Sequence, residues 1–134
     1  MAKQFSLNKN EKLKSRKQLN QLFVQGKSFL VFPVKAFFVV TSAAQKPVVK
    51  IGVGVSKKNF KLAVKRNRIK RLLRETYRIN KLPLINLANE QKKNISIFFL
   101  YIDKEIMEYN LLNEKMKKII EKIIKLNFPE EQNY

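Results

Sequence analysis

The chain has 134 residues, 45% of them hydrophobic, and a formal net charge of +19 at neutral pH. That is enough for one compact domain with a core, and far too basic to be without an anionic counterpart. Cysteine and histidine are both absent, which excludes disulfides, thiol nucleophiles, thiolate metal sites and the commonest general base. The balance points to nucleic acid first and an anionic membrane surface second, and away from a protein that performs acid–base chemistry alone. No apolar run approaches the roughly 18 residues of a membrane span. The start, Met1-Ala2-Lys3-Gln4-Phe5, carries no signal-peptide apolar core. A cytoplasmic location and no membrane partner are therefore expected.

Residues 1–12 are polar and lysine-rich and are expected to form a flexible basic arm. Ser15 and Gln18 stand at capping-box spacing with Leu13 upstream as a staple, and Leu19, Leu22 and Phe23 follow at i, i+3 and i+4. This predicts a first helix over 16–25, ended by Gly26. Phe23 suits a core position, or the edge of a cleft.

Val34 to Thr41 has strand composition. Alternation puts Val34, Ala36, Phe38 and Val40 on a core face, and Lys35, Phe37, Val39 and Thr41 on a face that mixes cation and aromatic. The mixed face suits single-stranded nucleic acid. Ser42 to Pro47 reads as a hairpin loop. Val48 to Ser56 is a second strand, with Val49, Ile51, Val53 and Val55 on one side and Lys50, Gly52, Gly54 and Ser56 on the other. Two glycines on one strand face suit a bulge or close helix packing, or a smooth floor approached by a ligand chain; the flanking Lys50 and Ser56 favour the floor.

From Ser56 to Asn80 the pattern changes to a helical period. Leu62, Ile69, Leu73 and Thr76 fall on one side, with Leu72 and Tyr77 on its margins. Asn67, Lys70, Arg71, Arg74 and Arg78 fall on the other. A solvated charged face would look similar, but arginine outnumbers lysine here and Asn67 sits between two arginines. Those groups make forked, directional bonds to phosphates and base edges. Residues 81–93 read as a connection after Pro83, with at most a helical turn through Leu84 to Leu87. Asn94 to Ile102 is nearly all apolar, as a strand covered on both faces would be. Asp103 and Glu105 then read as capping and dipole partners for a final helix over 106–126. That helix has a core stripe of Ile106, Tyr109, Leu112, Met116, Ile119, Ile120, Ile123 and Leu126. Residues 128–134 are expected to be a loose tail.

The expected architecture is a single RNA-binding domain over 1–134 of α+β class. It is a two-layer sandwich of helices on a sheet in the order α-β-β-α-β-α, with room for an extra short strand. The strand, basic helix and strand from Val48 to Ile102 make a βαβ unit, for which sequence alone predicts a right-handed crossover. Metal and catalytic constellations are missing: Gly52-Val53-Gly54 lacks the rest of a phosphate loop, and Glu130 and Glu131 lie in the tail.

Ser56-Lys57-Lys58, Ala63, Arg66-Asn67-Arg68-Ile69-Lys70-Arg71 and Arg74-Glu75, together with Ile51-Gly52-Val53-Gly54-Val55 and the element order, resemble the signature of the bacterial ribonuclease P protein component. The resemblance implies a mixed sheet with the rare left-handed crossover, of the ribosomal protein S5 domain 2-like type. It implies that Arg66, Asn67, Arg68, Lys70, Arg71 and Arg74 hold the catalytic RNA. It also implies that a cleft of Phe23, Lys35, Phe37, Lys50, Gly52, Gly54, Ser56, Lys57 and Lys58 receives the 5′ leader of precursor tRNA. Hydrolysis would be carried out by the RNA with Mg2+ bound mainly by that RNA, and the protein would act as a monomer, one per RNA. Two positions depart from the family pattern. Asn59-Phe60-Lys61-Leu62 stands where some members have a glycine after the double lysine. Leu100-Tyr101-Ile102 stands where an arginine often follows the last strand. The competing readings are a ribosomal or general RNA-binding protein, with no leader preference, and a DNA-binding regulator, which lacks a partner helix for its basic helix.

Overall fold

The structure, a computed structural model, describes Lys12 and residues 16–128. The predicted capping box at Ser15, most of the basic arm and the tail beyond Phe128 lie outside the described residues. The elements are α1 (Arg16–Gln25), β1 (Lys27–Val31), β2 (Val34–Ser42), β3 (Val49–Val55), α2 (Ala63–Asn80), α3 (Leu82–Gln91), β4 (Lys93–Tyr101) and α4 (Tyr109–Asn127). The strands form one mixed sheet in the order β1-β2-β4-β3. β1 pairs antiparallel with β2, β2 antiparallel with β4, and β3 parallel with β4.

Alternation sorts each strand into an inner and an outer face. The inner rows, such as Phe29–Ala36–Phe99–Val53 and Val31–Val34–Tyr101–Val55, run straight across the sheet. Against them pack Ile69, Leu73 and Tyr77 of α2, Leu84 and Ala88 of α3, and Leu112, Met116, Ile119, Ile120 and Ile123 of α4, all essentially inaccessible. Thr76 lies in this apolar stripe because its hydroxyl donates back to the Leu72 and Leu73 carbonyls, at 2.9 and 3.1 Å. Asn80 ties the end of α2 to α4 through the Asn113 side chain, at 2.7 Å. α1 lies on the other side of the sheet, against β2 and β4.

Several expectations are corrected by the three-dimensional arrangement. Ser42 to Pro47 is not a hairpin loop, because β4 lies between β2 and β3. The connection crosses the start of β4, where Ala43 N–H bonds the Lys92 carbonyl and Val48 N–H bonds the Asn94 side chain, both at 2.9 Å. The true hairpin joins β1 to β2 around Phe32 and Pro33, which supplies the extra short strand. Residues 82–91 are a full helix: Pro83 sits at its first turn, where a missing N–H costs nothing, and Lys92 closes it in the left-handed conformation. α4 starts at Tyr109, and neither Asp103 nor Glu105 caps it. Residues 102–108 are instead held by Tyr101, whose hydroxyl donates to the Glu105 carbonyl at 2.6 Å and accepts from Met107 N–H at 2.8 Å. Leu62 and Leu126 are exposed, whereas Tyr77 and Phe128 are core residues. Gly26 ends α1 without a positive φ; a Cβ there would meet the Leu22 and Phe38 carbonyl oxygens at 2.4 and 2.8 Å, so glycine is needed for close approach. Lys12 bridges in parallel to Ile51 on the outer edge of β3.

Candidate nucleic-acid interface

The outer face of the sheet carries the alternate residues of the same strands. Its rows are Leu30–Lys35–Leu100–Gly54, Ser28–Phe37–Phe98–Gly52 and, nearer the start of β4, Val39–Ser96–Lys50. Among the described residues, α1 is the helix that lies over this face, against the two central strands β2 and β4. From α1, the half-exposed Phe23 ring stands edge-on to both Phe37 and Phe98, with centroids 5.1 and 5.3 Å away. The Lys35 ammonium lies 5.2 Å from the Phe37 ring centre, a cation–π approach that keeps charge beside an aromatic surface. Farther along, the face deepens into a depression of about 430 Å3, lined by Thr41, Gln45, Lys46, Lys50, Asn94 and Ser96. The face is thus a trough with an aromatic centre, cations near both ends and polar side chains between them. Its chemistry suits stacked bases and a phosphate chain.

Phe98 is the residue that sequence reasoning missed. The Asn94 to Ile102 segment reads as apolar throughout and was expected to be covered on both faces, yet Ser96, Phe98 and Leu100 are only half-buried while Ile95, Ile97, Phe99 and Tyr101 are sealed. Ser96 marked the outward parity, and Phe98 shares it. The same ring settles the role of Gly54: a Cβ there would lie 2.6 Å from Phe98 Cζ. Gly54 therefore makes room for a ring of its own chain, which forms the local surface in its place.

At the end of β3 the chain turns from the outer face to the inner one through a tightly bonded loop. Ser56 Oγ accepts from Lys58 N–H, and the Ser56 carbonyl accepts from Asn59 and Phe60 N–H at 3.2 and 3.1 Å. The Asn59 amide donates to the Ile102 carbonyl at 3.0 Å, and Phe60 is buried against Tyr101. So Asn59 and Phe60 anchor the loop, and Lys57 and Lys58 are left exposed at its tip.

α2 follows with no acidic residue in its first turn, which leaves the positive end of its dipole without a local counter-charge. Asn67, Arg68, Arg71 and Arg74 are exposed and Lys70 is half-buried, and among the described residues none of these five side chains has a hydrogen bond or ion pair. Two other basic residues of the helix differ from them. Arg78 is paired with Glu75 one turn earlier. Arg66 is half-buried and donates twice to its own chain, to the Phe60 and Lys61 carbonyls. The structure thus gathers Phe23, Lys35, Phe37, Lys50, Gly52 and Gly54 on the outer face and places Ser56, Lys57 and Lys58 at its end. The remaining cations form a separate ridge beyond the loop.

Among the described residues, no helix is long and apolar enough to cross a membrane. The sequence model of the Ribonuclease P family matches residues 7–124. The chain is 35% identical over 119 residues to the ribonuclease P protein component of Porphyromonas gingivalis, covering 89% of this chain and 87% of that protein. It is 36% identical over 128 residues to that of Chlorobium phaeobacteroides, covering 88% of each. Among solved structures, it resembles the RNase P protein of Thermotoga maritima with a TM-score of 0.64 at 24% identity, over 84% of this chain and 96% of that one. It resembles the RNase P protein of Staphylococcus aureus with a TM-score of 0.56 at 19% identity, over 90% of this chain and 97% of that one.

Proposed function

Because this chain belongs to the ribonuclease P protein family, and so works with ribonuclease P RNA in an endoribonuclease complex, we propose that it presents two separate surfaces to two RNAs. The outer trough takes the single-stranded 5′ leader of precursor tRNA, with Phe23, Phe37 and Phe98 offering stacking surface and Lys35, Lys50, Lys57 and Lys58 screening phosphates. The ridge of Asn67, Arg68, Lys70, Arg71 and Arg74 docks on the catalytic RNA. The observation that supports this reading best is the aromatic cluster of Phe37, Phe98 and the half-exposed Phe23, with a lysine laid on it, on the outer face of the sheet. Stacking tolerates any base, as a leader that varies between precursors requires.

Among the described residues, no three His, Cys, Asp or Glu side chains gather where they could hold a metal ion. In the proposal Mg2+ stays with the RNA, which breaks the bond, while the protein orients the substrate and offsets repulsion between two polyanions.

The test is to add the chain to ribonuclease P RNA at low magnesium and follow cleavage of precursor tRNA, with leader-bearing and mature tRNA affinities measured beside it. The expected result is stimulated cleavage, no cleavage by the chain alone, and tighter binding of the leader-bearing form. Efficient processing by the chain alone would overturn the division of labour. Equal affinity for the two tRNAs would return the protein to the general RNA-binding class. If about six phosphates are neutralised, the logarithm of the binding constant should fall against the logarithm of salt with a slope of about −4 to −5.

A further inference from the structure

Arg66 differs from the rest of the α2 ridge in where its guanidinium is used. Its Nη1 donates to the Phe60 carbonyl at 2.7 Å and to the Lys61 carbonyl at 2.8 Å. One –NH2 carries two hydrogens, so a single nitrogen can serve both carbonyls, and charge-assisted bonds of this length are strong ones. Those carbonyls belong to the loop that carries Lys57 and Lys58, and the loop's other anchors are Asn59 on the Ile102 carbonyl and Phe60 against Tyr101. Arg66 therefore closes the last side of a clamp around the segment that joins trough to ridge. We infer that Arg66 is a positioning residue: it fixes the Lys57–Lys58 loop so that these two cations stand ready at the end of the leader trough, and it acts on the RNA through them. The role rests on the leader reading above, although the clamp itself does not.

Arg66→Lys keeps the charge but replaces the planar guanidinium with a shorter, more strongly hydrated ammonium that does not reach both carbonyls from the same place. In the free protein, exchange of the Asn59 and Phe60 amides should quicken by about 10-fold, because local opening governs their protection. In the complex with the catalytic RNA, the ratio of leader-bearing to mature tRNA affinity should fall by about 5-fold while the salt slope for the catalytic RNA is unchanged. In a Lys57→Gln, Lys58→Gln background, Arg66→Lys should cause no further loss, because residues acting through one another are not additive. Asn59→Ala, an uncharged change in another anchor of the same loop, should reproduce the effect and serves as the second variant if Arg66→Lys fails to fold.

The inference is overturned if Arg66→Lys leaves both amide exchange and the leader ratio intact, or if its loss multiplies independently with that of Lys57 and Lys58. It is equally overturned if Arg66→Ala lowers the slope by about one phosphate, the mark of direct contact. A wild-type chain with no leader preference would instead sink the leader reading, leaving the exchange measurement to judge the clamp.

Discussion

The two faces of the sheet are made by the same strands and differ in what lies over them. On the inner face, Phe99 meets the Tyr77 ring at 5.7 Å and is fully buried, in a layer sealed by α2, α3 and α4. One residue earlier, Phe98 meets Phe23 on the outer face, and Phe23 is itself 47% exposed. Both layers carry aromatic rings, but one is closed by its own chain while the other meets a single short helix. Aromatic residues sealed by other side chains hold the fold together; those left half-covered are free to hold something else.

Substitutions on the two faces should separate along this line. Phe99→Ala should cost about 3–5 kcal/mol of stability, read in a denaturant melt, with RNA affinity per folded molecule unchanged. A loss below 1 kcal/mol would remove the distinction between the faces. Gly54→Ala should cost about 1–3 kcal/mol because the new methyl collides with the Phe98 ring. Most of that cost should vanish in a Phe98→Ala background, and a cost that persists there would place the strain in the backbone instead. Phe37→Ala should weaken binding of leader-bearing tRNA by about 1–3 kcal/mol, with a smaller effect on mature tRNA and on stability. Equal losses for both tRNAs would take Phe37 out of the trough.

The smallest effect concerns Tyr101, at the end of the inner face. Burial pushes its phenol above the ordinary 10.0, aided by the nearby Asp103 and Glu105 carboxylates and partly opposed by the Met107 N–H. The raised folded value means that the neutral phenol's contribution is present below pH 10.0 and is lost as pH rises through the folded value. Tyr101→Phe should destabilise by about 1 kcal/mol at neutral pH, through loss of the bonds to Glu105 and Met107. The gap between parent and variant should narrow above pH 10; a gap constant up to pH 11 would contradict it.

Much of the trough was legible because a strand's period of two assigns faces without reference to any partner. Lys35 and Phe37 opposite Ala36 and Phe38, and Lys50, Gly52 and Gly54 opposite Ile51 and Val53, could be sorted from the sequence, and the structure keeps that sorting. The ridge was legible for the same reason at a period of 3.6. What the pattern could not supply was the occupant of each face. Phe98 was hidden in an apolar run, and the space above Gly54 looked open to a ligand until a ring from the neighbouring strand proved to fill it. Arg66 carries the same group as Arg71 and Arg74, and periodicity cannot say that it turns back to the loop carbonyls, whereas the i, i+3 spacing of Glu75 and Arg78 does put that pair side by side.

Composition, charge and periodicity by themselves determined a basic α+β protein with no thiol or imidazole chemistry, its main helices and strands, and the parity of the residues in β2 and β3, since these follow from local geometry and from what water tolerates. The insertion of β4 between β2 and β3 and the burial of Tyr77 and Phe128 were decided by tertiary structure alone. Each depends on contacts between residues far apart in the chain, and such contacts leave no periodic trace in the sequence.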